Sequence, residues 1–579
     1  MMTKYIKYVL LFFCLISMTA CNSWIEENPE SEVTDDKVGD SSDACSAWVT
    51  GTYSKLIDDM FRWGYFPKML EFDADYISGP DWLFGTFGAG KFQGESDVTD
   101  ALWKGCYGLI GRCNNAERHI NAMTTLTTNV KNNAIGELKF LKGWSYFMLV
   151  RAYGDCPIQS EEETTDYNNP RQLVATVYNY IISNLEEAAF LMYKNTDNAY
   201  QEGHVNAGSA AGLLAKVYAT MAAAAMPVGT EITVRTGPAY TGTSDNKNYA
   251  PLQSYTFKKK AVSGYESMNA QSLYQQAANW AKKVIDGTYG TYELLPYENL
   301  WKKSYATYPE FMFSVGSVSG DATYRLSIHS QYEGYMTATG SDFIQSGGWI
   351  GCTRHWYDLF DHDDYRITKG VKHRWRVYTQ EASNTGFFYP NDEEYTILAT
   401  GRDLDGNWVA DPSGIYADGV SYYYSMDSQC LAFTTKYMDV TNDAIDNADA
   451  KWPFLRFADV LLIGAEAENE LGNTDKALLY INKVRARSNA NLGTIDDLDT
   501  KLKLRSAIIE ERAKEFACEA DRRWDLIRWG IYLDAMNVFG GSDDSGVFKT
   551  REERNLLFPI PSQELNTNQA ITSNNPGWN

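Results

Sequence analysis

Two kinds of side chain in this sequence could do chemistry: clustered carboxylates, and aromatic rings set among glycines. The carboxylates come as Glu510-Glu511 and as Glu519 with Asp521. Two carboxyl groups cleave a glycosidic bond when one donates a proton and the other acts as base or nucleophile across the substrate. Here they are adjacent or nearly so on a helical run, with Arg512, Arg522 and Arg523 among them. That pattern predicts a solvated face or ion pairs with those arginines. The signatures G-x-S-x-G, H-E-x-x-H and G-x-x-x-x-G-K-[ST] do not occur; Gly85 to Lys91 is glycine-rich, but Phe92 stands where a phosphate loop needs Ser or Thr. His355, His362 and His373 lack ligand spacing on one helix. Asp403-Leu404-Asp405-Gly406-Asn407 alternates oxygen side chains, but its glycine comes too early for an EF-hand, and it reads as a turn. No enzyme activity, metal or cofactor is expected.

The aromatics point to binding. Tyr and Trp offer a rigid apolar face with a polar handle, which suits stacking on a sugar ring while amides and carboxylates bond its hydroxyls. Trp82 beside Asp81 lies in a segment (61–97) where helical patterning fails and glycines mix with Trp63, Tyr65, Phe66, Tyr76, Phe84 and Phe87. A second group, Gln331, Tyr332, Tyr335 and Trp349, falls in another loop-rich stretch. These six residues are the candidate ligand site.

The elements that must position them are mostly helices. Apolar residues recur at helical spacing from Ala44, from Ala101 to Ile120, from Ala134 to Tyr153, from Thr176 to Tyr193, from Gly208 to Ala225 and from Asn269 to Asp286. A polar, glycine-rich insert follows Pro227. Between about 291 and 449 the character changes to tyrosines, glycines and short apolar runs such as Phe311-Met312-Phe313-Ser314-Val315, which predict strands and long loops. Three more amphipathic runs close the chain: Leu455 to Ala467, Ala477 to Val484, and Leu504 to Trp524 ending at Gly530, with Gly472 separating the first two.

The chain has 579 residues, 22% charged, and a formal net charge of -23. That acidity argues against a nucleic-acid partner, which needs a concentrated basic face. Residues 1–20 have a basic start (Lys4, Lys7) and an apolar run too short to span a bilayer permanently, then Ser17-Met18-Thr19-Ala20 before Cys21. This resembles the lipobox of bacterial lipoproteins, and predicts a signal peptide over 1–20, a lipid on Cys21 and an acidic tether over 21–43. Nine cysteines include no C-x-x-C pair, and those of the mature chain read as structural free thiols.

Several blocks, in order, resemble one family. They include Trp103-x-x-x-Tyr107, Tyr153-Gly154-Asp155-x-Pro157, Ala211-x-Leu213-Leu214-Ala215-Lys216, Arg456-Phe457-Ala458-Asp459-Val460-Leu461-Leu462, Glu511-Arg512 to Arg523-x-Asp525-Leu526-x-Arg528-Trp529-Gly530, and Pro559-Ile560-Pro561 with Asn575-Pro576-Gly577. The sequence resembles the SusD/RagB family of Bacteroidota outer-membrane lipoproteins. The resemblance implies a mainly α, TPR-like helical-repeat scaffold with a loop-rich, partly β ligand-binding insertion. Along the chain this gives an N-terminal helical region (44–290), a loop and strand region (291–449) and a C-terminal helical region (450–579). It also implies non-catalytic capture of an oligosaccharide at the cell surface, delivered to a TonB-dependent SusC-like transporter. The competing expectation is a scaffold lipoprotein that binds only protein partners, or a non-glycan nutrient such as peptide.

Overall fold

The computed structural model describes residues 39–578 apart from 62–64, 80–89, 92–96, 165, 167, 239–240, 244–245, 249–250, 322, 324–325, 327, 333–349, 377–384, 391–420, 425–430, 443–447 and 544–545. The signal peptide, Cys21, most of the tether and the Asp403–Asn407 turn lie outside the described residues.

Helices form where the apolar spacing placed them, with ends set by caps. α1 (Ser42–Tyr53) begins at Ser41, whose hydroxyl accepts the Ala44 N–H. β1 (Ile77–Ser78) precedes a series of long helices, α2 (Asp97–Ala122), α3 (Thr128–Tyr153), α4 (Val174–Leu191), α5 (Ala207–Ala224) and α6 (Ala270–Ile285). Each packs on the next in line, the neighbour-to-neighbour stacking of a helical-repeat scaffold. α5 is buried along its whole length and starts with a capping box: the Asn206 side chain accepts the Gly208 and Ser209 N–H groups, and Ser209 Oγ accepts the Asn206 N–H.

The insert after Pro227 holds order that its polarity concealed. β2 (Glu231–Thr236) pairs antiparallel with β3 (Gln253–Lys258), and Ile232, Val234 and Thr236 turn inward at a period of two. β4 (Phe311–Gly316) forms as its apolar run predicts. β5 (Gly351–Cys352) pairs with β1, and β6 (Arg374–Arg376), β7 (Thr385–Phe388) and β8 (Ser421–Tyr424) make a small sheet in that order.

Two helical expectations need correction. Leu455 lies in a strand, β9 (Lys451–Arg456), which pairs with β4; the helix α7 (Phe457–Leu471) starts after it. Pro453 explains this, since it has no N–H to give a helix and disfavours helical backbone at Trp452. After α8 (Thr474–Arg487), the third run is two helices, α9 (Lys501–Glu515) and α10 (Arg522–Arg528). Between them Cys518 and Ala520 take positive φ (61° and 62°). That turn is held from outside: Lys436 Nζ donates to the carbonyls of Glu515 and Ala517, Tyr437 Oη to that of Cys518, and the Ala520 N–H to Glu71.

α6 packs on α7, so the N- and C-terminal helical regions share one core reaching from Ala44 to Trp578. Among the described residues no helix is long and apolar enough to cross a membrane.

Candidate ligand-binding face

β1 and β5 form an antiparallel ladder of two rungs, Ile77 opposite Cys352 and Ser78 opposite Gly351. Trp82 follows Ser78 by four residues, and Trp349 precedes Gly351 by two. Asp81, Trp82, Tyr335 and Trp349 themselves lie outside the described residues; the ladder fixes where the chain leaves for them and returns. The Ile350 N–H donates to the Gln331 carbonyl at 3.0 Å, so segment 333–349 departs and arrives at neighbouring points. Cys352 exchanges two backbone hydrogen bonds with Ala432, both 2.9 Å, which brings the end of segment 425–430 to the same place. Gly90 closes segment 80–89 against the Phe548 backbone: its φ is 87°, and a Cβ there would sit 2.5 Å from the Phe548 carbonyl oxygen.

Gln331 and Tyr332 are described, on the short helix Ile328–Tyr332. Tyr332 is a correction: it is 0% exposed and offers no ring face to a ligand. It packs against Tyr437 (5.1 Å between centroids) and Trp452 (6.2 Å), and Tyr437 stacks on Trp452 at 5.6 Å. Its hydroxyl donates to Glu71 at 3.4 Å, and burial pushes the Glu71 carboxyl up to about 8. Gln331 is half-buried, and its Oε1 has no hydrogen-bond partner among the described residues.

The clustered carboxylates form ion pairs; of the partners the sequence suggested, only Arg512 reaches one of them, Asp521 at 3.9 Å, and the closer partners among the described residues come from elsewhere. Glu511 pairs with Arg366 and Arg485 (2.7 Å), Glu519 with Arg456 (2.8 Å) and Lys436, Glu510 with Arg235 and Lys514, and Asp521 with Lys216 (2.8 Å). Arg512 holds Asp459 and Asp525 more closely, Arg522 holds Asp75, and Arg523 holds Asp73. Glu511 and Glu519 are buried, so no solvated face exists there. Burial opposes ionisation of Glu511, but the Arg366 and Arg485 guanidiniums overcome it and hold the carboxyl down at about 2. A group held so low and enclosed by arginines is poorly suited to donate a proton at neutral pH.

Among the described residues no group of three or more His, Cys, Asp or Glu side chains could hold a metal ion. Cys45, Cys106, Cys113, Cys156, Cys352 and Cys518 are buried free thiols.

Two concavities went unread in the sequence. A groove of about 900 Å³ runs beside the end of α3, with Arg151, Leu173, Trp524 and Pro576 in its walls. A pocket of about 210 Å³ lies between β4, β9 and the segments before them, with Trp301, Phe311, Tyr437 and Lys451 in its walls. The one sequence signal for the second was Trp301-Lys302-Lys303, a ring next to two cations.

A family model for SusD matches residues 309–578, and a second, described as starch-binding and associating with the outer membrane, matches residues 87–219. The chain belongs to the SusD/RagB family. A SusD-like protein of Formosa agariphila is 23% identical over 99% of this chain and 100% of its own length. The fold matches a SusD homologue from Bacteroides thetaiotaomicron (TM-score 0.69, 21% identity, 95% of this chain and 100% of that one). It also matches surface glycan-binding protein A from Bacteroides fluxus (TM-score 0.63, 18% identity, 93% and 100%). The helical stack and its small sheets are therefore the SusD fold, mainly α.

Proposed function

We propose that this SusD-family protein is a lipid-anchored cell-surface protein that captures an oligosaccharide, without cleaving it, and passes it to a TonB-dependent SusC-like transporter. The observation that carries the reading is the β1–β5 ladder, because it roots the segments bearing Trp82 and Trp349 on adjacent strands. Two tryptophan-bearing segments rooted at one place suit a chain of sugar rings, with Asp81 and Gln331 as the partners proposed for its hydroxyls. Family membership and the glycan-binding relative of the same fold support it. The arginine-bound carboxylates support binding over turnover.

Calorimetry of the soluble protein across a glycan panel tests this. Trp82→Ala and Trp349→Ala are each expected to cost about 1–3 kcal/mol of affinity, the range for stacked aromatic anchors. Peptide binding in place of any glycan would overturn the sugar reading, and unchanged affinity in both variants would remove these two tryptophans from the site.

A further inference from the structure

The 210 Å³ pocket has an unusual balance of donors and acceptors. Its two carboxylates are already occupied. Asp449 binds the Lys303 ammonium at 2.9 Å and the Thr441 N–H at 2.6 Å, and Asp439 accepts the Lys303 N–H at 2.8 Å. Lys436, on the same wall, is spent on Glu519 and two backbone carbonyls. One donor remains unused: the Lys451 ammonium, on a half-buried side chain and 5.0 Å from the centre of the Phe311 ring, makes no ion pair or hydrogen bond among the described residues. Glu202, the acid that acts on Lys451 from a distance, is engaged by the Thr307 hydroxyl.

A desolvated cation kept without a counter-ion is costly, and an anion entering the pocket would relieve that cost. The walls restrict what the anion is attached to. Trp301 and Phe311, both half-buried, offer aromatic surface to an apolar ring face, and at about 30 Å³ per water the space equals roughly seven waters, enough for one sugar ring. A lone ammonium, without the arginine fork, recognises charge more than geometry. We propose that this pocket is a second sugar subsite, separate from the ladder face, that takes a residue carrying an anion, either a carboxylate or a sulfate ester. The proposal rests on the glycan-capture reading and extends it to acidic glycans.

Burial brings the Lys451 amine down to about 8, so affinity for an anion falls as pH rises above that value and the free protein loses its cation. Among the described residues the other charged groups around it are Lys302, Lys303, Lys436, Asp439, Asp449 and Glu202; Asp449 is already held down to about 2 by its hydrogen bonds from Thr441 and Lys303, against burial.

The test is calorimetry of the intact soluble protein with three probes: an oligogalacturonate, a sulfated galactan oligosaccharide and a neutral glucan oligosaccharide. Lys451→Met is expected to weaken an acidic probe by about tenfold or more, the usual effect of losing a hydrogen bond to a charged group, and to leave the neutral one unchanged. Ala306→Trp, which fills the pocket from its partly exposed rim, is expected to do the same, with circular dichroism confirming that both variants fold. Which acidic probe binds decides between carboxylate and sulfate. Wild-type affinity for the acidic probe should fall above pH 8, and the Lys451→Met profile should be flat there. Acidic binding that both variants retain, or binding of the neutral probe alone, overturns the acidic subsite while leaving glycan capture intact. Failure of all three probes and of a wider neutral panel overturns both.

Discussion

Arg456 is 1% exposed, with Glu310, Glu515 and Glu519 around its guanidinium at 2.8–3.0 Å. Arg487 shares Glu310 and Glu515, and Arg366 joins through Glu515 at 3.5 Å. A network of this kind does not owe its value to any one pair, since desolvation offsets much of each attraction, but removing a single member leaves opposite charges buried. Arg456→Met should therefore destabilise the fold by about 3–5 kcal/mol, read from the urea midpoint at constant slope. A loss below about 1 kcal/mol would mean that the three glutamates find other partners. The residue types of this network were legible in the sequence and their pairing was not. Helical spacing suggests partners three or four positions away, whereas those of Arg456 are 59, 63 and 146 positions distant.

Gly472 ends α7 in the left-handed region at φ 87°, and the next N–H, of Asn473, reaches back to the Glu468 carbonyl at 2.8 Å. Gly472→Ala puts a Cβ into that conformation and should cost about 1–2 kcal/mol, measured by thermal or urea unfolding. Nothing lies within 4 Å of the added methyl, so the loss would report backbone strain alone. This glycine was readable because it follows a long apolar period. Such periods also located α1 to α6 to within a few residues, apart from an earlier start for α3 at Thr128. What failed to show were short elements imposed from a distance. β9 takes its shape from Pro453 and from β4, the 516–521 turn from Lys436, Tyr437 and Glu71, and the β1–β5 ladder has only two residues per strand, too few to carry a period. For the proposed site, Trp82 and Trp349 stood out in the sequence by type and setting. Tyr332 did so for the same reasons and is core, because sequence does not say which ring of a glycine-flanked group turns inward.

At the scale of the whole molecule, the shared core and the proposed anchor make different demands. One core running from Ala44 to Trp578 means that the described helical regions should unfold together, since α6 and α7 pack across them. The lipid on Cys21, if attached as proposed, acts on location alone. Cys21→Ala should leave glycan affinity unchanged and move the protein from the membrane fraction to the soluble one, as two or three acyl chains are what hold such a protein to a bilayer. A variant that stays with the membrane would point to retention by another route. The two-rung ladder has a last consequence. Its rungs are backbone hydrogen bonds, indifferent to side-chain identity, and segment 333–349 re-enters the fold beside its own exit. A segment mounted this way acts as a cassette: its length and composition should be open to rewriting without the helical stack having to find a new way to fold.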